Sequence, residues 1–194
     1  MMEMTSHYFI AIPVESAQFE TVQQSILPYY SYRRVYRRDE FHVTIQFLGG
    51  LDQDSLEAVK EITRRVANET KSFLLHFQTI DHFGRPDQPR VLTITPDPSE
   101  PLRQFAENLR RELHAEIPQL DRKAFVPHVT LAKKWGKGER TLYVAPTFDI
   151  VETVNEVILY EVHPNRTPSY EAIEVFPFKR SEEDLWQSRL KFLT

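Results

Sequence analysis

The chain has 194 residues, 41% hydrophobic and 27% charged, with a formal net charge of −4 and a pI near 6.0. It is long enough to bury a proper core, and its acidic balance argues against a protein that coats nucleic-acid duplexes by charge alone. Zero Cys excludes disulfides, thiolate nucleophiles and Cys-type zinc sites, and no apolar run approaches a membrane span, so a compact cytoplasmic protein without membrane association is expected.

In chain order, His7–Pro13 reads as a buried strand and Glu15–Leu27 as a helix stopped by Pro28. Tyr29–Arg38 (YYSYRRVYRR) reads as a polar, aromatic and basic connection. Phe41–Leu48 is a strand closed by Gly49-Gly50. Asp52 caps a helix to Thr70 with Leu56, Val59, Ile62, Val66 and Ala67 on its apolar stripe. Phe73–Phe83 and Arg90–Thr95 form a strand pair around the turn Gly84-Arg85-Pro86-Asp87. Ser99 caps a second striped helix, carrying Leu102, Phe105, Ala106, Leu109 and Leu113, which ends near Pro118. Val126–Lys133, Phe148–Glu161 and Tyr170–Phe178 read as strands, and the tail from Ser181 as a helix. Mixed helices and hairpins predict an α+β fold. With no low-complexity linker in the chain, residues 1–178 read as a single bilobal domain, followed by a helical tail over 179–194.

One pattern occurs twice. His42-Val43-Thr44-Ile45 returns 86 positions later as His128-Val129-Thr130-Leu131. Alternate strand residues share a face, so each copy presents an imidazole and a hydroxyl side by side while its apolar pair points to the core. Free imidazole titrates near pKa 6.5, so a neutral and a cationic ring coexist near neutral pH. Phosphodiester cleavage uses that pair, because the attacking water loses a proton and the departing alkoxide gains one. Thr hydroxyls suit the non-bridging phosphate oxygens. No metal or other cofactor is expected: HExxH is absent, and His76, His82, His114 and His163 lack ligand spacing. None of the five Gly builds a Walker loop or dinucleotide fingerprint.

The paired motifs resemble those of the 2H phosphoesterase superfamily, and most closely the RNA 2′,3′-cyclic phosphodiesterases, also called 2′-5′ RNA ligases. Phe9-Ile10-Ala11-Ile12-Pro13 is similar to the family's opening strand, Glu40–Gly49 to its HxTLxFLG block, Phe125–Lys133 to its F-x-PHxTLAR block, and Tyr170 with Phe176-Pro177 to its closing strand. The resemblance implies a bilobal 2H phosphoesterase fold: two pseudo-symmetric lobes of mostly antiparallel sheet, helices on the outer faces, and an active-site groove between them. It implies opening of a 2′,3′-cyclic phosphate at an RNA end to a 2′-phosphate, with His42 as proton donor, His128 as proton acceptor, and Thr44 and Thr130 as phosphate-binding residues. Lys133 is a candidate substrate-binding residue: the family often has Arg at this position, and Lys keeps the charge but lacks the planar two-pronged grip on phosphate.

Two further groups of residues are candidates for substrate contact. Phe9 reads either as core or as a base-stacking ring, and Arg33, Arg34, Arg37 and Arg38 with Tyr32 and Tyr36 as a single-stranded RNA surface or a solvated loop. Competing activities keep the chemistry and change the substrate to a small cyclic nucleotide or ADP-ribose cyclic phosphate, or run the site in reverse as 2′-5′ ligation. A non-catalytic RNA-end binding module is a further alternative, which the retained proton-transfer pair argues against. A monomer is expected.

Overall fold

A computed structural model describes residues 6–138 and 145–179. It is an α+β structure in which nine strands make one antiparallel sheet with three α-helices packed on it. The strands are β1 (His7–Pro13), β2 (Tyr30–Val35), β3 (His42–Gly50), β4 (Phe73–Arg85), β5 (Gln88–Pro96), β6 (Val129–Gly138), β7 (Ile150–Val154), β8 (Glu156–Val162) and β9 (Tyr170–Pro177). The helices are α1 (Ala17–Ile26), α2 (Gln53–Glu69) and α3 (Glu100–Glu116).

The sheet runs β7-β4-β5-β6-β3-β1-β8-β9, with β2 added beside β6. The motif strands β6 and β3 meet at the centre, where Val43 lies opposite Val129. From that seam each half repeats the same plan of three further antiparallel strands. Neither half is contiguous in sequence: β4 and β5 serve the half of β6, and β8 and β9 serve the half of β3. The halves therefore cannot be parted by cutting the chain once.

Local chemistry sets the helices as read from sequence. The Asp52 carboxylate accepts from the Ser55 N–H at 2.8 Å and starts α2; Ser99 caps α3. Their stripes are buried, from Leu56 to Ala67 and from Leu102 to Leu113, and hold the sheet's inner face, where Val43, Val129 and Leu131 are fully enclosed. The first helix is shorter than expected because Ser16 caps it, accepting from the Gln18 N–H.

Three expectations need correction. The stretch Tyr29–Arg38 contains strand β2, whose Tyr32, Arg34 and Val35 pair with Trp135, Lys133 and Ala132; Tyr30 and Tyr32 alternate inward with exposed Ser31 and Arg33. Phe148–Glu161 is two strands, since Asn155 separates β7, which pairs with β4, from β8, which pairs with β1. The second motif strand begins at Val129 and extends to Gly138; Pro127 has no N–H to give a ladder, so His128 stands at its entry. The helical tail from Ser181 lies outside the described residues.

β3 and β2 share one edge of β6. Val129 pairs with β3, and from Ala132 onward β6 pairs with β2. Where the two partners diverge, the buried Gln23 of α1 fills the fork, donating to the carbonyls of Tyr36 and Leu131, each at 2.8 Å. That leaves the backbone satisfied at the point where the sheet splits.

Candidate active site

His42 and Thr44 face away from the core, as do His128 and Thr130, while Val43, Ile45, Val129 and Leu131 are buried. Because Val43 stands opposite Val129, the antiparallel register continued one residue each way sets His42 across from Thr130 and Thr44 across from His128. The two imidazoles occupy one diagonal of this square and the two hydroxyls the other. In a regular ladder such diagonal neighbours lie about 7–8 Å apart, a span that suits one tetrahedral phosphate. The sheet thus brings together four side chains that the sequence keeps 86 positions apart.

Both rings are held alike. His42 Nδ1 donates to the Glu40 carbonyl at 2.7 Å, and His128 Nδ1 to the Val126 carbonyl at 2.8 Å. A ring whose Nδ1–H is given to a carbonyl exposes Nε2 for proton exchange. Neither Nε2, and neither Thr hydroxyl, has a hydrogen-bond partner among the described residues. Burial is the main force on both rings and disfavours their cations. It pushes His42 down to about 4, helped by repulsion from His128 and Lys133 and opposed by the Glu40 carbonyl and carboxylate. His128 is also lowered, by burial, against its bond to Val126. Both rings are therefore neutral at pH 7, and His42 is strongly resistant to protonation.

Aromatic rings box His42 in. Phe9 lies 4.9 Å from it, centroid to centroid, Tyr170 5.2 Å edge-on and Tyr160 6.2 Å. Phe9 is 1% exposed and stacks at 5.1 Å on Tyr160. With no face free it cannot stack on a base, so that expectation is corrected: Phe9 backs His42. Tyr170 donates to the Tyr36 hydroxyl at 3.2 Å. Lys133 places Nζ 5.3 Å from the centre of the Tyr36 ring and forms no salt bridge among the described residues. Its ammonium bears on both His42 and Tyr170, so Lys133 is a cation beside the motif square.

The basic stretch before His42 is largely engaged with the protein itself. Tyr32 and Tyr36 are buried, Arg34 is ion-paired to Glu40, Arg37 to Asp39 at 3.1 Å, and Arg38 holds the Glu15 carbonyl at 2.7 Å. Of the two readings of this stretch, a single-stranded RNA surface or a solvated loop, neither describes it: it is a scaffold, with Arg33 alone of the four arginines left exposed and unpaired among the described residues.

Sequence reasoning missed the scaffold's centre, Glu40. Its side chain is fully buried and accepts from Arg34, from the Arg37 N–H at 3.1 Å and from the Ser169 N–H at 2.9 Å. Burial alone would raise this carboxyl, but the three donors outweigh it and hold it below the ordinary range. The same residue's carbonyl fixes the His42 ring. The short spacing from His42 hinted at a link; the partner at Ser169, 129 residues away, gave no local signal.

Comparisons with known proteins place the chain in a family and identify its fold. The model of the 2′-5′ RNA ligase superfamily matches residues 11–163. A Bacillus subtilis (strain 168) protein called RNA 2′,3′-cyclic phosphodiesterase is 27% identical over 186 residues, 93% of this chain and 100% of that protein. A Geobacillus stearothermophilus protein of the same name is 30% identical over 183 residues, 89% of this chain but 57% of its own length. Two solved structures share the fold, each with a TM-score of 0.74. The Thermus thermophilus protein TT0787 is 21% identical and aligns over 91% of this chain and 100% of its own. Escherichia coli LigT complexed with 3′-AMP is 22% identical over 90% of this chain and 98% of its own.

Proposed function

This chain belongs to the 2′-5′ RNA ligase superfamily, and from that premise we propose that it hydrolyses 2′,3′-cyclic phosphate ends of RNA to 2′-phosphomonoesters, with residues 1–178 as the catalytic unit. The observation that carries the reading is the matched pair of Nδ1-to-carbonyl bonds, which leaves two Nε2 atoms free on one diagonal of the motif square.

The steps follow from that placement. His128 Nε2 takes a proton from water as the water oxygen attacks phosphorus. The P–O3′ bond opposite breaks, and His42 Nε2–H delivers its proton to the departing O3′. The product carries a 3′-hydroxyl and a 2′-phosphate. Thr44 and Thr130 donate to the non-bridging oxygens, whose charge shifts during the reaction, and Lys133 adds a positive charge beside His42.

The donor role of His42 must overcome its low intrinsic basicity. A bound phosphate anion offsets both burial and the Lys133 repulsion, so the ring protonates on substrate binding. This coupling places one proton on the histidine pair only when there is an anion to receive it.

The reading is tested by offering an oligonucleotide with a 2′,3′-cyclic end in excess EDTA. Among the described residues no group of three His, Asp or Glu side chains is arranged to hold a metal, and the mechanism uses none. Full activity and a 2′-phosphate product are expected; a 3′-phosphate product, or loss of turnover to the chelator, would overturn it.

A further inference from the structure

Each motif strand carries one extra residue just past its Thr. In β3, Ile10 pairs with Gln46 and Ala11 with Thr44, so Ile45 is bulged out of the ladder. In β6, Leu92 pairs with Ala132 and Thr93 with Thr130, so Leu131 is the extra residue. Both bulges sit three positions after the motif His, and bulges beside functional sites re-aim side chains. The residue five after each His is thereby turned to the face of His and Thr. In β3 that residue is Phe47, 61% exposed; in β6 it is Lys133. A regular strand would put Lys133 on the face opposite Thr130. Instead its ammonium bears on His42 and Tyr170.

Lys133 offers a point charge on a flexible four-carbon stem, without the rigid fork by which an arginine holds its own aim on phosphate. An aromatic face lies under it. Lys133 Nζ stands over the Tyr36 ring, 5.3 Å from its centre, within the range at which a ring face attracts a cation. Tyr36 is itself firmly held. Its backbone N–H donates to the Leu131 carbonyl at 2.9 Å, and its carbonyl accepts from Gln23 at 2.8 Å. Its hydroxyl accepts from Tyr170, whose ring stacks on it at 6.4 Å. Arg34 also lies against the ring, at 4.8 Å, but Glu40 neutralises its charge. Lys133, unpaired among the described residues, is the uncompensated cation on this face.

We propose that Tyr36 is a positioning residue for Lys133: its ring face holds the ammonium toward the phosphate site, giving a lysine the fixed direction that an arginine carries in its own plane. The inference rests on the activity proposed above and adds to it the device that lets Lys133 serve as an anion clamp. Tyr36 acts through Lys133 and touches no reacting atom. An ammonium held in this way meets the anion in the ground state and the transition state alike, so its loss shows in KM more than in kcat.

The test is a double-mutant cycle on an oligonucleotide ending in a 2′,3′-cyclic phosphate. Tyr36→Leu, which stays apolar and loses the ring face, is expected to raise KM about three- to thirtyfold, the range of a cation–π contact, with kcat little changed. Tyr36→Phe keeps the face and loses the hydroxyl, and recovers most of that loss. Lys133→Met keeps the stem and removes the charge; in that background Tyr36→Leu adds no further loss. Losses that multiply in the double variant, Tyr36→Phe as impaired as Tyr36→Leu, or no loss from Tyr36→Leu would overturn the assignment. The same cycle read as Kd for inorganic phosphate separates it from the proposed activity. If wild type turns over no cyclic ester, that activity fails, whereas phosphate affinities that stay unchanged or fall independently refute the role of Tyr36. Proton NMR decides the case even if Tyr36→Leu does not fold. The Lys133 Hε resonances of wild type should be shifted upfield by the ring current, and random-coil positions refute the contact.

Discussion

Replacing either motif histidine by alanine is expected to lower kcat on a 2′,3′-cyclic oligonucleotide by about 10²–10⁴-fold, the usual contribution of a positioned acid or base. Under the proposed acid and base roles the two losses differ in kind. The His42→Ala enzyme lacks the proton for the leaving oxygen, so a phosphodiester with a nitrophenolate leaving group, which departs without protonation, recovers much of the deficit. The His128→Ala enzyme lacks the base for water and gains nothing from a better leaving group. Rescue of His128→Ala with no rescue of His42→Ala reverses the two roles. Near-wild-type rates in either variant would remove that ring from the chemistry. His42 also packs on Phe9 and Tyr170, so His42→Gln, which keeps more bulk, separates lost chemistry from lost packing.

Glu40→Ala is expected to destabilise the protein by about 3 kcal/mol, the low end for a broken buried ion pair, because the partly exposed Arg34 regains some hydration. It also strands the Ser169 and Arg37 N–H groups. Catalysis should fall beyond what stability explains, since the Glu40 carbonyl aims His42. Glu40→Gln keeps an acceptor and should cost less in both respects. The pH dependence has a definite sign. The Glu40 carboxyl is held below its ordinary value of 4.5, so its contribution is fully present above that pH and is lost as pH falls through the folded-state value. The stability gap between wild type and Glu40→Gln therefore narrows in acid. Denaturant midpoints at pH 7 and pH 4 measure both effects. A loss under about 1 kcal/mol for Glu40→Ala would show that Glu40 is not a structural anchor.

Local signals explain what was legible in the sequence. The four motif residues were found because a period of two places His and Thr on one face whatever the strand's neighbours. The caps at Asp52 and Ser99 and both helical stripes followed from short-range chemistry. What failed was non-local. β2 looked like a loop because Arg33, Arg34, Arg37 and Arg38 obscured the alternation of Tyr30 and Tyr32, and because the charge on Arg34 is neutralised by a carboxylate that only the fold supplies. Phe9 looked available to a base because its apolar flanks gave no face; Tyr160, Tyr170 and His42 enclose it from three other segments. The bulge at Ile45 changes the side of the sheet that Phe47 occupies, and it arises from pairing with β1, which composition does not encode. Each miss is a tertiary contact overriding a local pattern.

If two imidazoles serve one phosphate, NMR titration of the two rings will show it. Without ligand, His42 should titrate at about 4 and His128 below 6.5, each keeping its proton on Nδ1 while neutral. Inorganic phosphate should raise both values at the same half-saturating concentration, with the response centred on the two Nε2 atoms. Response of one ring alone, or of the two rings at different concentrations, would contradict the account.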